Sequence, residues 1–347
     1  MKTWWMRAGA GLLGVLLSCT AQSQGETGRM SRKDAGDLVA QLIEDVETHA
    51  LPPIDPAVQA QAKETLVRAV ASDSTQDVDR ATVYAAARLY LLTIDSDGHS
   101  FLWSRQYSRS FIDSTRPAAA VRADVARIVR AGSSDVLVVR PPQTTFFDAR
   151  MAHDYAAGMT ASIEAALAGA KACAVVVDLS DQRGGNAWPP AAVLGGLLTP
   201  ANRARVEDRW GQRLAVIAPE VYVSYRDLIG PLPADPLAPF AGTGVAYVIE
   251  PGTASAGEML AVTLSGEPSA RSFGRPSYGK ATSNASLFLA DGAQLVLTVG
   301  RYALDGQPAI RGPLEPDSPA EAGETLEQTI QRAATWSAAH SPLCRAH

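Results

Sequence analysis

Between Asp135 and Gly266 the chain alternates short, almost wholly apolar runs with longer segments whose apolar residues recur every third or fourth position. "DVLVVR", "CAVVVDLS" and "GVAYVIE" have the first character. "ARMAHDYAAGMTASIEAALAGA", "PPAAVLGGLLT" and "AGEMLAVTLSG" have the second. A run that is apolar at successive positions has no polar face to turn to water, so a strand built from it must be covered on both sides. Helices between such strands provide the cover, and the pattern predicts an α/β layer with parallel or near-parallel strands. Groups that act on ligands then sit beyond the strand C-termini.

Upstream the pattern is helical only. "AGDLVAQLIEDVETHA" starts near Asp34, "DPAVQAQAKETLVRAVAS" has Asp55 as cap and Pro56 in its first turn, and "DVDRATVYAAARLYLLTI" follows, leading into the loop "DSDGHSFL". These predict a helical module over residues 31–103. Residues 104–135 form a connecting segment that includes a helix in "RPAAAVRADVARIVRAG", and 136–342 form the α/β (α+β) domain. Within it, "ASLFLADGAQLVLTVGRY" reads as a hairpin turning at Asp291-Gly292. "AVIAPEVYVSYRDLIGPLPADPLAPF" reads as an edge strand and a long loop, and "PAEAGETLEQTIQRAATWSAA" as a closing helix.

A formal charge of -5, with 19% charged residues, lacks the clustered basic excess of a nucleic-acid binder. Residues 1–24 carry Lys2 and Arg7 ahead of a short apolar stretch, a secretory signal pattern. Within it "LLSC" resembles a bacterial lipobox, which would make Cys19 a lipidated first residue and the only membrane attachment. Simple cleavage after "CTA" or "AQS" is the alternative. Of the two cysteines that remain, Cys173 lies in the apolar "KACAVVVDLS" and reads as a buried core residue rather than a partner for Cys344.

The chemistry centres on "VAYVIEPGTASAGEML". Ser255 stands where strand passes into helix, and Ser255-x-x-Glu258 matches a capping box, so an ordinary N-cap is one reading. The other is a nucleophile. A helix leads away from Ser255, "ARSFGR" can return as a strand, and "PSYGK" then brings Lys280 back toward it. A desolvated lysine is uncharged and can serve as base. In "VVVDLSDQRGGNAW", Gly184 and Gly185 offer a turn whose N–H groups, with that of Ala256, could hold an oxyanion.

"VVVDLSDQRGG", "VAYVIEPGTASAGEML", "RPSYGKATSN", "LADGAQLVLTVGRY" and "LEPD" together resemble, in order and spacing, the C-terminal processing (tail-specific) serine peptidases, over about residues 136–320. The resemblance implies a ClpP/crotonase-like core, Ser255 as nucleophile, Lys280 as general base and Gly184/Gly185 at the oxyanion site. Asn284 stands where the family often has a glutamine that positions the lysine. It implies protein or peptide substrates, no cofactor and no metal, in a periplasmic or membrane-anchored bacterial enzyme. Two departures are visible. The segment 104–135 is too short for the PDZ domain that the family often carries. His99, in "DSDGHS", resembles the histidine base of the tricorn-like branch, although Glu315 is misplaced for that branch's glutamate. A catalytically inactive peptide-binding lipoprotein and an esterase are the rival expectations.

Overall fold

The computed structural model describes residues 28–51, 55–71, 77–95, 98–105, 125–144, 148–201, 203–217 and 219–345. Cys19 and the leader lie outside them. The chain forms two compact units, one of residues up to Ser114 with Asn284–Val299, the other of Thr115–Ser283 with Gly300–His347.

In the second unit a six-stranded sheet has the order Ser318–Pro319, Arg271–Gly274, Ala246–Ile249, Ala172–Asp178, Ser134–Val139, Ala126–Ala131. The first four junctions are parallel and the last is antiparallel. Along the central strand the side chains alternate between two cores, as the period of two requires. Val175 and Val177 join the helices Ala149–Ala168, Trp188–Leu194 and Ala256–Ser265 on one face. Ala174 and Val176 meet Ile330, Ala333 and Ala334 of the helix Leu326–His340 on the other. Cover on both faces is why the strand is apolar throughout. A smaller antiparallel arrangement pairs Ala204–Glu207 with Arg213–Ile217 and with Arg301–Leu304.

Three expectations are corrected here. Ala126–Ala131 is a strand, not part of a helix: its alanine and arginine suit a helix, but Gly132 at φ 62° turns the chain back and Ala126–Ala131 pairs residue by residue with Ser134–Val139. Pro219–Ile229 is a helix, not loop, because proline at a helix start loses no hydrogen bond there. Cys173 is paired with Cys344, at 4.9 Å between Cα atoms, across 171 residues of sequence. The apolar setting that suggested an isolated core cysteine is where the short helix Pro342–Arg345 docks.

In the first unit, helices Arg32–His49, Pro56–Val70 and Arg80–Ile94 start at Ser31, Asp55 and Asp79, whose side chains accept first-turn N–H bonds. They do not pack only on one another. Leu38, Leu42, Tyr84 and Leu91 share a core with Leu102, Leu295 and Leu297, and the hairpin turn is pinned by Asp291, which accepts bonds from Tyr84 Oη at 2.5 Å and Arg80 at 3.0 Å. No helix among the described residues is long and apolar enough to cross a membrane.

Candidate active site

The neighbouring parallel strands Ala172–Asp178, Ala246–Ile249 and Arg271–Gly274 point the same way, so the segments leaving their C-termini emerge side by side. These segments carry Gly184, Ser255 and Lys280.

The first two are laced together. Thr253, fully buried, donates from Oγ1 to the Leu179 carbonyl at 2.8 Å and accepts the Glu250 N–H at 2.9 Å, while the Ala254 N–H donates to the Gln182 carbonyl at 3.0 Å. Glycine is required for this approach. A Cβ on Gly252 would come within 2.7 Å of the Ser180 carbonyl oxygen, and one on Gly257 within 2.1 Å of that of Gln182.

Ser255 has φ 52° and ψ -108°, and it is the single non-glycine residue with positive φ among the described residues. The side-chain-capped helices have φ between -49° and -81° at their caps. An ordinary cap keeps a negative, extended φ. A serine forced out of it costs ~1–3 kcal/mol, and strained backbone of this kind is what strand-to-helix turns that carry nucleophilic serines show. Gly184, at φ 124°, passes so close that a Cβ there would lie 3.1 Å from Ser255 Cβ and 3.6 Å from its Oγ. Gly185 is exposed, at φ 102°, and forms a parallel bridge with Thr144. Ala256 follows as the first helical residue.

Glu258 joins Ser255 to the lysine segment. Its carboxylate is fully buried. Oε2 accepts the Ser255 N–H at 2.9 Å, while Oε1 accepts the Ser277 hydroxyl at 2.5 Å and the Gly279 N–H at 2.8 Å. The Tyr278 N–H donates to the Thr253 carbonyl at 2.9 Å. The backbone on either side of the site thus hangs on one carboxylate, and Lys280 is the next residue. It is half-buried, with Nζ 5.4 Å from the centre of the Tyr278 ring. Nearby, burial pushes the Tyr302 hydroxyl up to about 12, with a hydrogen bond to Ser283 opposing the shift.

Ser255, Lys280, Gly184, Gly185 and Ala256 therefore lie on segments of one unit that leave the C-terminal ends of neighbouring interior strands. Asn284 and His99 belong to the other, where Asn284 Nδ2 donates to the His99 carbonyl at 3.1 Å and its Oδ1 accepts from Thr298 at 3.0 Å. Sequence reasoning recognised Glu258 only as half of a capping box. The available signal was a lone charged residue in a short, buried and otherwise uncharged helix. Among the described residues no group of three or more His, Cys, Asp or Glu is placed to hold a metal ion.

The profile of peptidase family S41 matches residues 145–320, just over half of the chain. This chain belongs to peptidase family S41. The S41 chain is similar in structure to a lipoprotein from Streptococcus agalactiae, with a TM-score of 0.63 and 19% identity, over 88% of this chain and 96% of that one. It is also similar to the photosystem II D1 C-terminal processing protease, with a TM-score of 0.54 and 14% identity, over 88% of this chain and 97% of that one. At such identities the likeness is one of fold. No curated protein sequence matches.

Proposed function

We propose that this S41 chain is an exported serine endopeptidase in which Ser255 is the nucleophile and Lys280 its general base. The observation that carries the reading is the backbone of Ser255, held at φ 52° with Gly184 against its side chain and the lysine segment tied to the same buried carboxylate. Uncharged Lys280 removes the hydroxyl proton as Ser255 Oγ attacks a peptide carbonyl. N–H groups of Gly185 and Ala256 bear the charge on the tetrahedral oxygen, and the proton passes to the leaving amine. Water, deprotonated by the same amine, then releases the acyl group.

Export is supported by the leader pattern of residues 1–24 and by the Cys173–Cys344 disulfide, which suits an oxidising compartment. Lipidation of Cys19 would anchor the chain to a membrane. Substrates are unfolded proteins or peptides, which can bind in extended form.

The test is incubation of the purified mature chain with an unfolded protein, beside Ser255→Ala. Cleavage by the first and none by the second is expected, with stoichiometric fluorophosphonate labelling at Ser255. Equal cleavage by both would overturn the assignment. Lys280→Ala is expected to abolish acylation while His99→Ala retains it; the reverse would make His99 the base.

A further inference from the structure

Along Gln182–Asn186 burial alternates: Gln182, Gly184 and Asn186 are buried, Arg183 and Gly185 exposed. Gly184, at φ 124°, turns the backbone between the two exposed residues. Arg183 and Gly185, separated by one residue, lie no more than ~7 Å apart, the full reach of two residues of chain. Arg183 is therefore exposed within that distance of the glycine to which the proposed mechanism gives the oxyanion.

The base of this arginine is fixed on both sides. Before it, Gln182 gives its carbonyl to the Ala254 N–H and donates from Nε2 to the carbonyls of Pro141 and Pro142 at 3.3 and 3.2 Å. After it, Gly184 packs on Ser255. The side chain itself is 70% exposed, and its Nε donates to Asp181 Oδ1 at 2.8 Å. Asp181 is exposed as well, and a solvated pair of this kind is held weakly enough to yield the guanidinium to another carboxylate. A guanidinium has five N–H donors in a planar fork suited to a carboxylate.

We propose that Arg183 is a specificity-determining residue, which holds a carboxylate of the bound peptide within about two residues of the bond that Ser255 attacks. The assignment rests on the peptidase reading. The carboxylate is either an acidic side chain or the free C-terminus of the peptide.

Binding measured without turnover separates the two. In the Ser255→Ala chain, fluorescent peptides are compared in which one Glu is walked along a neutral sequence, each beside its Gln counterpart and each with a free or an amidated C-terminus. At low salt the carboxylate-bearing member of one such pair is expected to bind about 3- to 10-fold tighter, as for an exposed charge-assisted contact. A Glu/Gln difference identifies a side-chain ligand and a free/amide difference a C-terminal one. The preference disappears in Ser255→Ala/Arg183→Gln, and in Ser255→Ala/Arg183→Glu the carboxylate-bearing member of that pair becomes the weaker binder. Equal affinities in every pair, or a preference that survives Arg183→Gln, would overturn the assignment. Fluorophosphonate labelling of the unsubstituted chain reports on Ser255 alone, so failure of the nucleophile and failure of the subsite give different results.

Discussion

Ser255 carries the clearest mark of function at the residue scale, because its backbone is costly and nothing about capping a helix needs that cost. Replacing it by glycine removes the steric penalty of φ 52° at the expense of some chain entropy. Ser255→Gly is therefore expected to raise stability by about 1 kcal/mol in urea denaturation while turnover disappears; a destabilised variant would argue against strain at this position. Glu258 is the second such residue. Its carboxylate serves three donors in a fully buried place, and Gln offers one oxygen and an NH2 that must face a donor. Glu258→Gln is expected to cost about 1–3 kcal/mol and to lower kcat more than it raises KM, measured by denaturation and steady-state kinetics on one peptide. The candidate serine and lysine were legible in the sequence through the order and spacing of the motif blocks that hold them, although each alone has an ordinary explanation. The clamp was not, since a glutamate at the third helical position has an innocent explanation that only its buried partners remove.

At the scale of elements, the helix Ala256–Ser265 works by how closely it begins against the loop after Ala172–Asp178. Gly257→Ala would push a methyl group to 2.1 Å from the Gln182 carbonyl oxygen, so it is expected to cost about 1–3 kcal/mol and to abolish labelling of Ser255 by fluorophosphonate. Gly36, in the helix Arg32–His49, has nothing within 4 Å of an added Cβ, and Gly36→Ala should instead stabilise by about 0.5–1 kcal/mol. The opposite signs, read in paired thermal melts, test whether close approach rather than propensity governs the first site. The last long helix supplies a pH dependence. Arg332, hydrogen-bonded to Glu324, holds that carboxyl below its ordinary value. A depressed carboxyl stabilises the fold above its unfolded pKa, and that contribution is lost as pH falls through the folded value. Glu324→Gln should thus destabilise at neutral pH and converge on the parent chain in acid, as followed by denaturant titration at several pH values.

For the whole molecule, the disulfide joins the central strand to the end of the chain across 171 residues. Closing so long a loop restricts the unfolded ensemble, and Cys173→Ser/Cys344→Ser is expected to lose about 5 kcal/mol by the chain-entropy argument. Comparable melting of the parent and the double variant under non-reducing conditions would contradict the pairing. The strands Ala172–Asp178 and Ala246–Ile249, the helices Ala149–Ala168 and Ala256–Ser265 and the parallel layer follow from the sequence alone, because apolar periodicity acts locally and needs no knowledge of neighbours. The strand Ala126–Ala131, the cysteine pair, the helices' share in a core with Leu295 and Leu297, and the carboxylate beneath Ser255 were decided only in three dimensions. Each depends on a partner distant in sequence, and local preference is silent, or points elsewhere, until that partner's hydrogen bonds, apolar surface or covalent link enter the balance.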